Sequence, residues 1–172
     1  MTIRPAQPAD APRLQAIEDA AGLLFDTVGL PEVAQMAPRS LAMLHHAAEA
    51  GLLWVACIDR NAVGFALVEV LPDGTAHLEE LSVDPAYGRR GIGTALAQHV
   101  EQMLTAHGHA TLTLSTFREV PWNAPWYLRL GYRVLTDQQL TPALHAIRKQ
   151  EAELGLDSAS RVLMRKSLTP SR

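Results

Sequence analysis

The segment from Leu78 to Thr94 reads Leu-Glu-Glu-Leu-Ser-Val-Asp-Pro-Ala-Tyr-Gly-Arg-Arg-Gly-Ile-Gly-Thr, which predicts a strand, a tight loop and the start of a helix. Gly91 and Gly93 remove side chains where the backbone turns into the helix, so unpaired amide hydrogens point outward at the positive end of the helix dipole. Such a nest of amides binds pyrophosphate. Arg89 and Arg90 stand beside it and would add charge-assisted contacts to the same phosphates. A Gly-x-Gly spacing alone is also compatible with a tight turn that binds no ligand.

The surroundings of this loop argue against two other phosphate-binding loops. A P-loop requires a Lys followed by Ser or Thr after its second glycine, and the residues after Gly91 supply no such pair. A dinucleotide-binding fingerprint requires a first βαβ unit and a third glycine. Here a series of strands precedes the loop, and Ala95 and Leu96 follow it.

Upstream of the loop, the pattern predicts a short strand, two helices and then a meander of three strands. The strand lies around Thr2 to Arg4, and the first helix has Asp10 as its cap. A long loop from about Gly22 to Pro38 follows, which is a candidate wall of a substrate site. The apolar positions of the two helices are Leu14, Ile17, Ala21 and Leu24, and then Leu41, Leu44 and Ala48 before Gly51. The meander strands are Leu52 to Ile58, Val63 to Leu71, and a third strand that reaches Val83.

Downstream, helices and strands alternate. A strong helix begins at Gly91 and closes at Gly108, and it forms a crossover between strands. The later elements are a strand at Ala110 to Ser115, a short helix at Ala124 to Leu130, a strand at Tyr132 to Leu135, a helix from Thr141 to near Gly155 and a last strand at Val162 to Leu168. The order predicts a mixed α/β fold.

Composition limits the classes of protein that fit. The 172 residues are enough for one domain, and 48% hydrophobic residues supply a core. A net charge of −3 leaves no global positive field for nucleic acid or an anionic membrane. The single cysteine, Cys57, lies in an apolar run and excludes an intrachain disulfide. No run approaches the roughly 18 apolar residues of a membrane helix. We therefore expect a cytoplasmic protein.

Two motifs resemble the GNAT superfamily of acetyl-CoA-dependent N-acetyltransferases. Its signature loop, Gln or Arg, two residues, Gly, one residue, Gly or Ala, follows a strand ending in Val-Asp-Pro, and this chain departs from it only at Gly88. The block Trp122 to Tyr132 is similar to the family's Asn, short helix and Tyr four residues before a Gly. The resemblance implies one N-acetyltransferase domain over residues 1–172. It also implies a mixed, mostly antiparallel sheet of six to seven strands, flanked by helices and splayed at the cofactor site.

The resemblance also implies how acetyl-CoA binds as co-substrate. The pantetheine arm pairs with the backbone of Leu81 and Val83, and the Val83 amide polarises the thioester carbonyl. Asn123 contacts the pantetheine, and Tyr127 faces the sulfur. The implied cofactor-binding residues are Leu81, Ser82, Val83, Arg89, Arg90, Gly91, Ile92, Gly93, Thr94, Asn123 and Tyr127.

Catalysis requires a base, because an ordinary primary amine has a pKa of about 10.4 and must lose a proton before it attacks. Strand alternation places His77 and Glu79 on the face of Leu81 and Val83, while Glu80 points the other way unless a bulge intervenes. The acidic pair and the Trp-Asn-x-Pro block also resemble polyamine acetyltransferases, which favours Glu79, with Glu80 near the amine. His77, bulk water, or a reading of both carboxylates as solvated strand residues stay as alternatives.

Tyr127 is the candidate acid, because a phenol near pKa 10 is matched to a thiol near about 8.5. A packed core aromatic is the alternative. Phe25, Asp26, Trp122 and Trp126 either line an acceptor pocket or serve packing. His45, His46, His107 and His109 lack ligand spacing, so no metal is expected.

The predicted activity is acetyl transfer to a primary amine on a small molecule. A protein N-terminus or lysine as acceptor, and a non-catalytic acyl-CoA sensor, are the alternatives. The helix from Thr141 and the strand Val162 to Leu168 are the candidate interface of a possible homodimer.

Overall fold

A seven-stranded mixed sheet flanked by helices forms the framework of the computed structural model, which describes residues 1–168. Its strand order is β1-β2-β3-β4-β5-β7-β6. The strands are β1 (Thr2–Pro5), β2 (Leu53–Ile58), β3 (Asn61–Val70), β4 (Ala76–Val83), β5 (Thr111–Phe117), β6 (Arg133–Val134) and β7 (Arg161–Ser167). The helices are α1 (Ala11–Gly22), α2 (Pro31–Ala34), α3 (Leu41–Glu49), α4 (Ile92–Ala106), α5 (Ala124–Arg129) and α6 (Pro142–Glu153).

Pairing in the sheet is mostly antiparallel, as the family resemblance implies. The β1–β2, β2–β3, β5–β7 and β6–β7 pairs are antiparallel. The exception is β4 with β5, where Ala76–Leu78 run parallel to Leu112–Leu114. A parallel pair requires a crossover connection, and α4 supplies it, which confirms the predicted role of that helix.

The chain divides into two compact units, and β4 contributes to both. The first unit consists of Met1–Glu69 and Glu79–Gln102, and the second of Val70–Leu78 and the chain from Met103 onward. The domain count of one therefore stays a prediction.

Packing in the first unit follows the apolar faces expected from the sequence. The α1 helix packs on α3, and α3 packs on β2. Leu14 and Ile17 of α1 and Leu44 of α3 are fully buried, because helical spacing puts them on the sides that meet. The core they share contains Ala6, Ala11, Leu14, Ile17, Leu44, Ala47, Leu53, Val55, Cys57, Ala62, Phe65 and Leu67.

The second unit has its own core beneath α6. Leu144 of this helix is buried with four leucines from the preceding turns and from β7, namely Leu71, Leu135, Leu140 and Leu163. Thr141 caps the helix, since its side-chain oxygen accepts a hydrogen bond from the Leu144 amide at 3.3 Å. The helix α6 therefore buries an apolar face against this core.

Two local predictions are wrong. The predicted loop from Gly22 to Pro38 contains a 3₁₀ turn, Leu23–Val28, and the short helix α2, because local hydrogen bonds satisfy its backbone. Asp10 does not cap α1: its carboxylate accepts from the Gln7 amide at 2.8 Å and from Arg4. A 3₁₀ turn, Pro8–Asp10, precedes α1, so Asp10 already has helical backbone angles.

Within residues 1–168, no helix has both the length and the apolar character needed to cross a membrane.

Candidate active site

The connection from β4 to α4 is pinned where it leaves the strand. The Asp84 amide donates to the Val63 carbonyl at 2.9 Å. The Asp84 carboxylate accepts from the Ala86 amide at 2.9 Å and from the Arg13 guanidinium at 2.6 Å. Burial alone would raise the pKa of Asp84, but the Ala86 and Arg13 contacts outweigh it and lower the pKa. The carboxylate is therefore held in its charged form as a fixed anchor.

The turn into α4 has left-handed backbone at two residues. Arg89 has φ 61° and Gly91 has φ 78°, a region in which only glycine avoids a steric penalty. The Gly91 carbonyl accepts from the Ala95 amide at 3.0 Å and so begins the helix. The first-turn amides of Ile92, Gly93 and Thr94 then lack partners within the helix, which is the geometry that receives an anion.

The side chains of this loop separate into a buried anchor and exposed charges. Ile92 is fully buried and fixes the start of α4, whereas Arg89 and Arg90 are exposed. The Arg90 guanidinium lies over the Tyr87 ring at 5.4 Å from its centroid. At Gly88, where the family pattern has Gln or Arg, a Cβ would lie 3.2 Å from the Pro85 carbonyl oxygen. A side chain at this position would therefore crowd the 3₁₀ turn Pro85–Tyr87.

The end of β4 presents backbone to the candidate site. Leu81 and Val83 are half-buried, and Ser82 is buried. The parallel register with β5 covers Ala76–Leu78 of β4, and in the described residues it does not continue along Glu79–Val83.

The guanidinium of Arg39 binds three carboxylates in the first unit. Its Nη1 donates to Glu18 and, at 2.7 Å, to Oε2 of Glu80. Its Nη2 donates to the Glu79 carbonyl at 2.8 Å and to Oε1 of Glu79 at 2.9 Å. Its Nε is buried and has no hydrogen-bond partner in the described part of the chain.

Arg39 explains how both members of the acidic pair reach one place although strand alternation predicts opposite faces. A backbone carbonyl lies in the plane of a sheet, so a guanidinium bound to the Glu79 carbonyl sits at the edge of β4. From the edge it reaches carboxylates on either face. Glu80 keeps its expected face, because it accepts at 2.6 Å from the hydroxyl of Ser82, two residues along the strand.

The electrostatics of this cluster are dominated by negative charge. Burial opposes the charge on Arg39, but the surrounding carboxylates, Glu80 first, outweigh it and raise its pKa. Burial and then the Glu80 charge raise the pKa of Glu18. Burial and then the Glu79 charge raise the pKa of Glu69 on β3. One arginine faces several carboxylates, so the surroundings favour cations.

The Tyr127 block forms a separate aromatic cluster in the second unit. The rings of Trp126 and Tyr132 meet the Tyr127 ring edge-on, at centroid distances of 4.7 and 5.4 Å. Tyr127 is 8% exposed. Its amide donates to the Asn123 carbonyl at 3.0 Å, and its carbonyl accepts from the Tyr132 amide at 3.1 Å. Asn123 and Tyr127 are thus fixed relative to one another by the first turn of α5.

His77, an alternative base in the sequence, is buried in the second unit. Its Nδ1 lies 2.9 Å from the Thr113 hydroxyl, whose own hydrogen goes to the Ala76 carbonyl at 3.1 Å. Nδ1 therefore carries the hydrogen and donates. Burial lowers the pKa of His77 to about 4. These contacts favour a packing role for His77.

The remaining candidates for an acceptor pocket lie in the turn after α1 and in the segment before α5. Phe25 is half-buried and Asp26 exposed in the 3₁₀ turn after α1, and Trp122 is half-buried before α5. Within residues 1–168, no three His, Cys, Asp or Glu side chains are arranged to hold a metal ion.

Sequence reasoning missed Arg39 and Glu18. Arg39 follows a proline and precedes Ser40, the cap of α3, so it reads as an ordinary loop residue. Glu18 adjoins the buried Ile17 on α1, and this position at the edge of an apolar face is the one signal that could have drawn attention to it.

Comparison with known proteins identifies the same architecture. The profile of the acetyltransferase (GNAT) family matches residues 22–132. The N-acetylglutamate synthase from Neisseria gonorrhoeae, solved with coenzyme A and N-acetyl-glutamate, is 18% identical with TM-score 0.74, and the match covers 98% of this chain and 35% of the synthase. The chain therefore spans about a third of that enzyme's length.

Two other solved structures match along their full length. Rv2747 from Mycobacterium tuberculosis, in complex with CoA, is 19% identical with TM-score 0.70, over 98% of this chain and 100% of that one. A ribosomal-protein alanine N-acetyltransferase from Escherichia coli is 22% identical with TM-score 0.64, over 99% and 96%. Identities this low show the fold, whereas the family profile covers more than half of the sequence. The chain belongs to the acetyltransferase (GNAT) family.

Proposed function

We propose that this protein transfers an acetyl group from acetyl-CoA to a primary amine of a small molecule, with Glu79 as general base and Tyr127 as general acid. The observation that carries the proposal is the carboxylate cluster of Glu18, Glu79 and Glu80, in which Glu79 and Glu80 lie on the strand that leads directly into the turn before α4. A base and a cofactor loop on consecutive elements are what this reaction requires.

The turn before α4 fits the pyrophosphate of CoA. Its amides project from Ile92, Gly93 and Thr94, and Arg89 and Arg90 are exposed beside them. The backbone of Leu81 and Val83 would pair with the pantetheine arm. Ser82 would contribute through its backbone, because its hydroxyl is bound to Glu80. Asn123 and Tyr127 are assigned to the CoA site because they resemble the family motif.

Among the three carboxylates, Glu79 is the one suited to take a proton. Both oxygens of Glu18 accept from Arg39, and both oxygens of Glu80 accept, from Arg39 and Ser82. Of the two carboxylate oxygens of Glu79, only Oε1 has a hydrogen-bond partner in the described residues, so Oε2 is available to accept a proton. The Glu79 side chain is also the most exposed of the three, at 32% against 22% for Glu80 and 12% for Glu18.

The chemical step balances through these two residues. Glu79 takes one proton from the acceptor ammonium, and the neutral amine attacks the thioester carbon. The C–N bond forms, the C–S bond breaks, and Tyr127 gives its proton to the departing thiolate. The second amine proton passes to the tyrosine oxygen and restores the phenol, and Glu79 releases its proton to solvent. The Val83 amide supports the carbonyl oxygen as it gains negative charge.

The acceptor class follows from charge. Three carboxylates around one guanidinium leave negative charge that attracts a cationic amine and repels an anionic acceptor. We expect a small primary amine with a second cationic group nearby to react better than an acidic amino acid.

The test is release of free thiol from acetyl-CoA with polyamines, neutral and acidic amino acids, aminoglycosides and short peptides. Turnover with cationic small amines supports the proposal, and turnover confined to peptides replaces the small-molecule acceptor by a protein one. CoA binding without turnover by any amine contradicts the enzymatic proposal and favours an acyl-CoA sensor.

A further inference from the structure

The backbone of Arg39 is held by α1, independently of the contacts that its side chain makes with Glu79 and Glu80. The Gln15 side-chain amide donates to the Arg39 carbonyl at 2.7 Å, and the Arg39 amide donates to Oε2 of Glu18 at 3.1 Å. Both partners lie on α1, so the backbone at residue 39 is held on that helix from two sides. The side chain is only 21% exposed. Its position is therefore set by α1 and does not depend on a ligand.

From this position Arg39 constrains Glu79 at two points. One nitrogen, Nη2, bonds the main-chain carbonyl and the carboxylate of the same residue, at 2.8 and 2.9 Å. Because the backbone carbonyl and the carboxylate bind the same nitrogen, the carboxylate must stay near its own backbone, which restricts the rotamers of Glu79. Oε1 is occupied, and Oε2 has no hydrogen-bond partner in the described residues.

The same guanidinium counters a concentration of negative charge. The groups that face Glu79 are Glu80 on its own strand, Glu18 on α1, Glu69 on β3 and Arg39 itself. Without the arginine, the carboxylates would repel one another, and the Glu79 side chain would no longer be held in one orientation.

We propose that Arg39 is the positioning residue of the acetyl-transfer reaction: it aims Oε2 of Glu79 at the acceptor amine. This inference rests on the proposed function, because it concerns the base assigned there. It also excludes a direct role for Arg39 in binding an acidic acceptor, since both of its terminal nitrogens already bind carboxylates.

The experiment compares kcat and KM of the unmodified protein, Arg39→Gln and Arg39→Lys. For Arg39→Gln, kcat should fall by about 10- to 100-fold, because Oε2 of Glu79 is no longer aimed at the amine, while KM for acetyl-CoA stays unchanged. Arg39→Lys should recover only part of kcat, because one ammonium fails to bind every partner.

Two further proteins separate a positioning role from a general loss of structure. Arg4→Gln removes a comparable two-point ion pair with Asp10 in the same unit, at 2.7 and 2.9 Å, and should leave kcat unchanged. Glu18→Gln combined with Arg39→Gln removes one unpaired buried carboxylate, and it should fold if Arg39→Gln alone does not, with kcat still reduced.

The outcomes distinguish the positioning role of Arg39 from the proposed function on which it rests. Glu79→Gln should lower kcat at least as much as Arg39→Gln does, and Arg39→Gln added to it should have no further effect on kcat. If Glu79→Gln lowers kcat but folded Arg39→Gln does not, the positioning role is overturned and Glu79 stands as the base. If Glu79→Gln leaves kcat intact, both assignments are overturned.

Discussion

Gly64 on β3 lies so close to Ser82 on β4 that a Cβ built on the glycine would be 3.0 Å from the Ser82 carbonyl oxygen. The same Cβ would be 3.2 Å from the Val83 side chain and 3.3 Å from Leu96 of α4. A glycine is therefore required for β3 to approach the end of β4. This contact supports the backbone that we propose pairs with the pantetheine arm.

Gly64→Ala should destabilise the fold by about 1 to 3 kcal/mol, because the added methyl group overpacks a buried contact against backbone. It should also raise KM for acetyl-CoA, because the Ser82 and Val83 backbone must shift. Urea unfolding and initial rates measure the two effects. Gly22→Ala is the control, since its Cβ would have no neighbour closer than 4.0 Å. Normal KM in a destabilised Gly64→Ala would separate this contact from cofactor binding.

Gly91→Ala should weaken CoA binding, because a left-handed φ of 78° costs a residue with a Cβ about 1 to 2 kcal/mol. Relief of that strain would turn the first amides of α4 away from the phosphates. Gly51→Ala is a matched control, because Gly51 has φ 72° in the same unit and equally open space. Both variants should lose similar stability, and only Gly91→Ala should lose affinity in calorimetric titration with CoA. Equal affinity for both would show that the turn does not bind the phosphates.

How far the sequence predicts this protein depends on the range of the contacts. The α4 helix and strand β5 follow from local periodicity, and the glycines at 91 and 108 mark the helix ends. The Arg39 cluster joins residues 21, 40 and 41 positions apart, on a helix, a loop and a strand. No local pattern encodes such a contact, so the acidic pair was predictable but the arginine that holds it was not.

The error at Asp10 has a related cause. An acidic residue before an apolar helical pattern usually caps the helix, but here Arg4 of β1 lies within 2.7 Å and binds the carboxylate. A charged partner from a neighbouring strand therefore outweighs the cap that the local sequence predicts.

Tyr127→Phe should lower kcat by roughly one to three orders of magnitude and leave CoA affinity nearly unchanged, because only the proton donor is removed. Tyr132→Phe is the control, because it removes a hydroxyl from the adjoining ring of the same cluster. Single-turnover rates and CoA titration separate chemistry from binding. If the two variants have the same rate as the unmodified protein, Tyr127 is a packing residue and another group or water protonates the thiolate.

His77 should make stability depend on pH, because burial lowers its pKa from 6.5 to about 4. In the unfolded chain His77 binds a proton near pH 6.5, whereas in the folded chain it binds one only near pH 4. The free energy of unfolding therefore falls as pH decreases between these values. Above pH 6.5 the contribution is fully present, and its upper limit is about 3 kcal/mol. Urea unfolding from pH 7 to 4.5 should therefore show a steeper loss in the unmodified protein than in His77→Gln, which keeps a side-chain donor for Thr113 but does not titrate. Parallel pH dependence in the two proteins would mean that His77 does not couple protonation to folding, and that the carboxylates account for the acid sensitivity.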